Sequence, residues 1–329
     1  MKSIKSKSSI KGFIALLLVF ATAVYFAACS DNSVTSDNIT DDGYIQQVIN
    51  NGYGSGQQEE DDVMSGEVND LDDGGPVSDG NGDTPIDSLY KWGRRIISVN
   101  VNANIQTSGD TMKTVMITRT INGKFMILGT VNGILDTISK PYTEVTHRTA
   151  IFKRVARTEH PRFNWRLYQV TMLDGGTTAP QVGEDYVKMT KIEVYRNGNL
   201  SYTFNGPDFT QNVFTTKKFG GPGIPVIDRG DNVTVKVYTY STQSEKDIVS
   251  WHNKRNTFGF HRIAFEMTSQ TPNGAGWDRV YEKSVTVNGG HVLGKFNGFI
   301  SASTHKSLFD DSPAEFASDL AGTPYRVDR

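Results

Sequence analysis

The chain has few residues that can form covalent cross-links or metal centres. It holds one cysteine, Cys29, and six scattered histidines among 329 residues. A single cysteine excludes an intrachain disulfide, so the fold must be held by its cores alone, which favours domains of at least about 100 residues. Neither His-Glu-x-x-His nor Gly-x-Ser-x-Gly occurs in the sequence, so it offers no signature of a zinc protease or of a serine hydrolase.

Long apolar runs are also missing, apart from one near the start. Residues 13–28 are uncharged and mostly apolar, follow four lysines, and end in two alanines directly before Cys29. A basic segment, an apolar segment and small residues before a cut are typical of a secretory signal peptide, here over residues 1–28. An uncleaved membrane anchor is less favoured, because a spanning helix needs about 20 residues. An ordinary signal peptide, without lipidation, is the other alternative.

Small residues followed at once by the only cysteine resemble the lipobox of bacterial lipoproteins, although Phe26 stands where that family prefers leucine. The resemblance implies that Cys29 carries a diacylglycerol, with acyl chains such as palmitate, and holds the mature chain to a membrane. Cys29 is then neither a nucleophile nor a metal ligand. The resemblance further implies a protein of the cell envelope, and the acidic residues after Cys29 resemble signals for the outer membrane, on its periplasmic or surface-exposed face. The rest of the body is similar in character to an uncharacterised envelope lipoprotein.

Basic residues are absent from the next stretch. Residues 30–90 contain 15 Asp and Glu and no Lys or Arg, whereas the chain from Lys91 onward has a formal charge of +9. Residues 29–88 are therefore predicted to be a flexible acidic tether, since such a composition cannot bury enough apolar surface to order itself. Within it, the apolar spacing of residues 42–49 indicates one short helix.

From Trp92 the apolar residues alternate with polar ones, as in half-buried strands. Asn122-Gly123 and Asn132-Gly133 indicate hairpin turns, and the glycine-rich residues 174–178 indicate a domain boundary. Residues 89–178 are predicted to form an N-terminal β domain. We expect an all-β fold with two antiparallel β-sandwich-like domains after the disordered tether.

The second half, residues 179–329, contains the clearest hairpin signal, Asn197-Gly198 between alternating runs. Its short strands and frequent turns resemble an immunoglobulin-like β-sandwich, in architecture only, since the Cys…Trp…Cys framework is absent. Residues 308–327 are expected to be a loop.

Four residues are candidates for partner binding. Trp251, Lys254 and Arg255 are expected in one loop, and Trp277 in a second, because aromatic and cationic side chains on loops often carry recognition. The alternative is that each indole fills the end of a sandwich core.

The sequence thus predicts a lipid-anchored envelope or cell-surface protein that binds or supports a partner and is not an enzyme. The expected partners are the membrane, through the lipid on Cys29, and an envelope protein or a glycan, with no nucleic acid and no cofactor. A glycan-binding or glycan-processing accessory protein is one alternative, for which two inward carboxylates about 5 to 10 Å apart would be the sign. A structural subunit of an envelope assembly is another, for which a large exposed apolar patch would be the sign.

Overall fold

The structure, a computed structural model, describes residues 39–51, 77–78, 85–180, 183, 185–254 and 260–329. The predicted signal peptide, Cys29, most of the predicted tether and Arg255 lie outside these residues. Contacts between residues divide the chain into two units, Met1–Thr40 and Asp41–Arg329, and every helix and strand of the described chain belongs to the second.

Twelve strands form a sheet that we call the large sheet. Along its main path the order is β1-β2-β3-β4-β6-β17-β16-β12-β13, while β5 joins β4 to β9 and β10 pairs with β17. The bounds are β1 Val77–Ser78, β2 Ile86–Ser108, β3 Met112–Val131, β4 Ile134–Arg154, β5 Trp165–Thr171, β6 Leu173–Ala179, β9 Val213–Thr215, β10 Val226–Asp228, β12 Ile248–Lys254, β13 Phe260–Ala264, β16 Gly294–Ser303 and β17 Ser318–Asp328.

Five strands form the small sheet, in the order β14-β15-β11-β7-β8. The bounds are β7 Val187–Arg196, β8 Asn199–Asn205, β11 Asn232–Ser241, β14 Glu266–Asn273 and β15 Gly276–Thr286. The described helices are α1 Asp41–Asn51, α2 Pro161–Asn164 and α3 His305–Phe309, with 3-10 turns at Phe209–Gln211 and Lys217–Phe219.

The all-β class and the antiparallel pairing are confirmed, with β10 and β17 as a parallel pair. The likeness of residues 179–329 to an immunoglobulin fold stays a prediction. The predicted boundary after residue 178 falls within β6, which pairs with β4 on one side and with β17 on the other. Hydrogen bonding therefore runs without a break from one predicted β domain to the other.

Two glycines in β6 explain why this strand fits between its neighbours. A Cβ on Gly175 would lie 2.3 Å from the carbonyl oxygen of Val145, and one on Gly176 would lie 2.6 Å from that of Ser318. The glycine-rich segment is thus a strand that permits close backbone approach. The sequence predicted a domain boundary there because glycines are frequent both in linkers and in strands that pack closely.

The turn signals have mixed outcomes. Asn132 and Gly133 have φ of 51° and 76° and close the β3–β4 hairpin, as predicted. Asn122-Gly123 is no turn, and β3 runs straight through it. A Cβ on Gly123 would lie 2.5 Å from the Tyr142 hydroxyl, so this glycine makes room for a ring that crosses the strand.

The described part of the predicted tether includes α1, at the place where the sequence indicated a short helix. Its buried face, Ile45, Val48 and Ile49, is at most 1% exposed and belongs to the core between the two sheets. Tertiary packing stabilises a helix that would be too short to be stable alone.

A second core lies further along the same face of β3 as the first, since Phe125 of the second core and Val115 of the first are an even number of residues apart on that strand. The ring of Phe125 contacts those of Trp92 and Phe316 there, with centroids 5.4 and 4.8 Å apart and tilted planes. Phe309 of α3 joins them, so residues 308–327, predicted as a loop, supply part of α3 and most of β17.

None of the helices in the described residues has the length and apolar character that crossing a membrane requires.

Candidate functional site

Trp251 lies in strand β12 and not in a loop, contrary to the sequence-based expectation. It pairs with Ile263 of β13 and with Ile300 of β16. Residues directly opposite one another in a sheet share a face, so Trp251 and Ile300 both point from the large sheet toward the small one. The polar residues around Trp251 suggested a loop because they hide the period-two pattern of a strand.

A glycine and a tyrosine fix the position of the Trp251 ring. A Cβ on Gly298 of β16 would lie 2.8 Å from the Trp251 Nε1 and 3.2 Å from the ring of Tyr325. The rings of Trp251 and Tyr325 meet edge to face, with centroids 5.9 Å apart and planes at 61°. The missing side chain at Gly298 therefore gives the indole a place to lie against β16 and β17.

Trp251 forms one wall of a narrow apolar space between the two sheets, which we call the intersheet slot. Gly298, Ile300 and Tyr325 line it from the large sheet. The small sheet contributes the opposite wall, made of Ile192, Val194, Tyr202, Phe204, Val233 and Val235. Its volume, taken as the space open to the centre of a water molecule, is about 40 Å³.

The slot reaches solvent beside strand β8, the edge of the small sheet. Trp251, Val194 and Tyr202 are half-buried there, whereas Val233 and Val235 are buried. The Tyr202 hydroxyl accepts a hydrogen bond from the Val226 backbone N–H at 3.1 Å. This contact joins the small sheet to β10 of the large one beside the slot.

Of the other predicted binding residues, Lys254 and Trp277 also lie in strands and not in loops. Lys254 is the last residue of β12 and pairs with Phe260, and Arg255 lies outside the described residues. Trp277 is half-buried in β15 of the small sheet, opposite Ser241. The two tryptophans therefore belong to different sheets.

A pair of carboxylates, which sequence reasoning missed, lies where β6 and β17 meet the small sheet. Lys188 Nζ lies 2.7 Å from Asp319 and 4.0 Å from Asp174, and the Met189 backbone N–H donates to Asp319 at 2.8 Å. Burial raises the pKa of Asp319 to about 7, against the opposing charge of Lys188. Asp319 is 3% exposed, so this cluster joins the sheets and does not offer an acid and a base to a substrate.

A serine, a histidine and a glutamate come close together on the side of β12 and β16 that faces away from Trp251. His252 Nε2 lies 2.9 Å from Ser301 Oγ, and its ring stacks on Phe299 at 4.2 Å. Glu144 is fully buried and accepts a hydrogen bond from Arg94 at 2.7 Å, and burial raises its pKa. Ser301 is 3% exposed, so its hydroxyl cannot reach a substrate in this arrangement.

The outer face of the small sheet carries tyrosines around one carboxylate. Tyr195 and Tyr238 both donate to Glu193 Oε2, at 3.0 and 2.8 Å, and Lys191 donates to its other oxygen at 2.7 Å. The hydrogen bond from Lys191 is the main cause that lowers the pKa of Glu193. Tyr240 lies two residues beyond Tyr238 on the same strand, and its ring is 6.0 Å from that of Tyr186.

Among the residues that the structure describes, no group of three or more His, Cys, Asp or Glu side chains could hold a metal ion. Comparison of the chain with protein-family models, with curated proteins and with solved structures found no match. The physical character of the slot and of the tyrosine face is therefore the basis on which function is argued.

Proposed function

We propose that this protein is a lipid-anchored binding protein of the cell envelope, and that its partner inserts an apolar group into the intersheet slot. The observation that carries the proposal is the slot itself: two apolar walls, half-open to solvent, with a tryptophan on one of them. Ligand sites are concave and mostly apolar, and tryptophan is enriched among the residues that contribute most to binding.

The dimensions of the slot favour a small apolar group over a large ligand. A space of about 40 Å³ open to water centres suits a branched side chain or the end of a hydrocarbon chain. A group that buries about 100 Å² of apolar surface there gains roughly 2.5 kcal/mol. Since the walls offer few hydrogen-bonding groups, selectivity must come from shape.

The proposal is tested by titrating n-hexanol into the full chain while the methyl resonances of its Ile and Val residues are followed. Resonances of Ile192, Val194 and Val235 should shift together, whereas those of Val115 should not. Val194→Phe fills the mouth of the slot and should abolish the shifts. Val155→Phe, at an exposed position outside the slot, is the matched control and should leave them unchanged. Shifts that survive in Val194→Phe contradict the proposal.

Anchoring at Cys29 rests on the sequence of residues 1–29 and is part of the same proposal. The expected lipoprotein has an acylated Cys29 as its N-terminus and is retained in the outer membrane. Cys29→Ser should release the protein from membranes, since the acyl chains supply the membrane affinity. Mass spectrometry of the native protein should find acyl chains on Cys29, and an unmodified cysteine there would contradict this part.

The tyrosine face of the small sheet favours glycan binding as a second candidate function. Tyr186, Tyr238 and Tyr240 lie close together on one sheet face, with Tyr186 47% exposed, and Glu193 supplies hydrogen-bond acceptors beside them. Aromatic rings that offer an apolar face next to a polar group suit the mixed surface of a sugar ring.

Affinity electrophoresis in gels that contain xylan, β-glucan or chitin oligosaccharides tests this candidate. Tyr240→Ala should weaken retardation about tenfold if sugars stack there. Tyr90→Ala removes a more exposed tyrosine from the large sheet and should have no effect. Retardation that is absent in the wild type, or equal in both variants, excludes the tyrosine face as a site for these glycans.

A further inference from the structure

Strand β2 has an outer edge that no described strand covers along most of its length. Among the described residues, β1 alone pairs with this edge, at Ser88 and Leu89, while β3 pairs along the opposite edge as far as Ser108. From Ile96 to Ser108 the outer edge therefore presents backbone N–H and C=O groups to which the described chain adds no strand. At about 3.3 Å per residue, these 13 residues span about 43 Å.

Apart from a β-bulge between Ile96 and Ser98, this edge lacks the features by which sheet edges usually avoid pairing. Residues 96–108 contain no charged residue and no proline, and Ile97 and Val99 are 62% and 49% exposed. Charges, prolines and short length normally protect an edge strand. The other edge strands show this protection: β13 carries Arg262, β14 carries Glu266 and Pro272, and β8 has only seven residues.

The pattern of β2 is also symmetric about one residue. Asn100, Asn102 and Asn104 are exposed, whereas Val101, Ala103 and Ile105 are half-buried against the core between the sheets. An antiparallel copy centred on Asn102 would place Asn100 opposite Asn104, and Val101 opposite Ala103. From Ser98 to Gln106, polar residues then meet polar residues and apolar residues meet apolar ones, with no like charges in contact, whereas the two isoleucines before Ser98 lie opposite polar residues.

We propose that the outer edge of β2 binds the same edge of a second copy of this chain, as an antiparallel strand pair centred on Asn102. A two-fold axis through Asn102 makes the contact isologous, so two large sheets continue into one another across the pair. This inference is independent of the intersheet slot, which lies between the two sheets of a single chain.

Analytical ultracentrifugation of the full chain in density-matched detergent measures the mass. The wild type should have twice the mass of the monomer. Asn102→Lys places two positive charges opposite one another at the axis and should yield monomer, with an unchanged circular dichroism spectrum. Thr271→Lys, at an exposed uncharged position of β14, is the matched control and should remain a dimer. A monomeric wild type overturns the proposal. The edge would then be covered by a segment of the chain itself or by another protein.

Disulfide trapping tests the register separately. In a Cys29→Ser background, Asn102→Cys supplies the only thiol, and directly opposite residues in an antiparallel pair lie within disulfide distance. Asn102→Cys should form a dimer on oxidation, whereas Asn104→Cys alone should not, because its counterpart lies four residues away. Equal crosslinking of the two variants, or of neither, overturns the proposed pairing.

Discussion

Arg279 and Asp247 form an ion pair from which solvent is excluded, since both side chains are 0% exposed. Arg279 donates to Asp247 at 2.9 Å and also to the backbone oxygen of Ser244, while Ser241 donates to the other carboxylate oxygen at 2.7 Å. Burial raises the pKa of Asp247 even so. A buried pair of this kind persists only when all of its hydrogen-bonding groups are occupied.

Asp247→Asn should therefore destabilise the protein by about 3 to 5 kcal/mol, because it leaves the Arg279 charge buried without its partner. Glu282→Gln is the matched control: it breaks the half-exposed pair with Lys236 and should cost under about 1 kcal/mol. Urea unfolding of both variants gives the two free energies. If the two variants lost similar amounts of unfolding free energy, another group would have to compensate the Arg279 charge.

The raised pKa of Asp319 predicts a pH dependence. The carboxyl titrates near 7 in the folded chain and near its ordinary value of 3.8 in the unfolded chain, so the folded state holds the proton more tightly. The stability that this group contributes is full below about pH 4 and is lost as the pH rises through about 7. Wild type should lose stability relative to Asp319→Asn between pH 5 and pH 8.

Urea midpoints of wild type and Asp319→Asn at both pH values check this difference. Asp136→Asn, at an exposed position, is the control, and its urea midpoint should change with pH as that of the wild type does. A difference between wild type and Asp319→Asn that stays constant with pH would mean that Lys188 keeps Asp319 charged throughout.

Helix α1 shows how an element inside an acidic segment can belong to a core. Ile45 is 0% exposed between the sheets, and the acidic start of the helix forms ion pairs with Lys113 and with Arg154. The ion pairs are partly exposed and contribute little, so the apolar face decides whether the helix docks.

Ile45→Ala should lower the free energy of unfolding by about 2 to 5 kcal/mol, through lost burial and the cavity that remains. Gln47→Ala, on the exposed side of the same helix, should change it by less than about 0.5 kcal/mol. Thermal and urea unfolding compare the two variants. Equal, small effects would show that α1 does not dock on the core in solution.

Helices and hairpins are predicted correctly from the sequence where neighbouring residues determine them. The helix in residues 42–49 and the hairpins at Asn132-Gly133 and Asn197-Gly198 depend on adjacent residues, and all three form. Prediction fails where a distant contact decides: Gly123 accommodates Tyr142, and Gly175 accommodates Val145, neither of which is near in sequence.

The arrangement of Asp41–Arg329 depends on pairings between distant strands. Strand β17, at the end of the chain, pairs with β6 and β16, and Asp319 of β17 contacts Lys188 of the small sheet. No alternation pattern encodes such partners, so the sequence predicts the all-β class without predicting the strand order.

The candidate site was only partly predictable for the same reason. The sequence singles out Trp251 as a recognition residue, but the slot exists because Trp251, Gly298 and Tyr325 meet on one face of the large sheet. The two interpretations of Trp251 were a binding residue and a core residue. The half-buried side chain packs against Tyr325, as a core residue does, and it also lines a space that opens to solvent, as a binding residue does.

The central claim is that the two sheets leave an apolar space that accepts an apolar group. Crystals of the protein placed under xenon pressure test it most directly, because xenon enters apolar cavities without needing hydrogen bonds. Xenon should bind in the intersheet slot, between Trp251 and Val194 and beside Gly298. A slot without xenon, or closed by contact of Trp251 with the small sheet, would contradict the account.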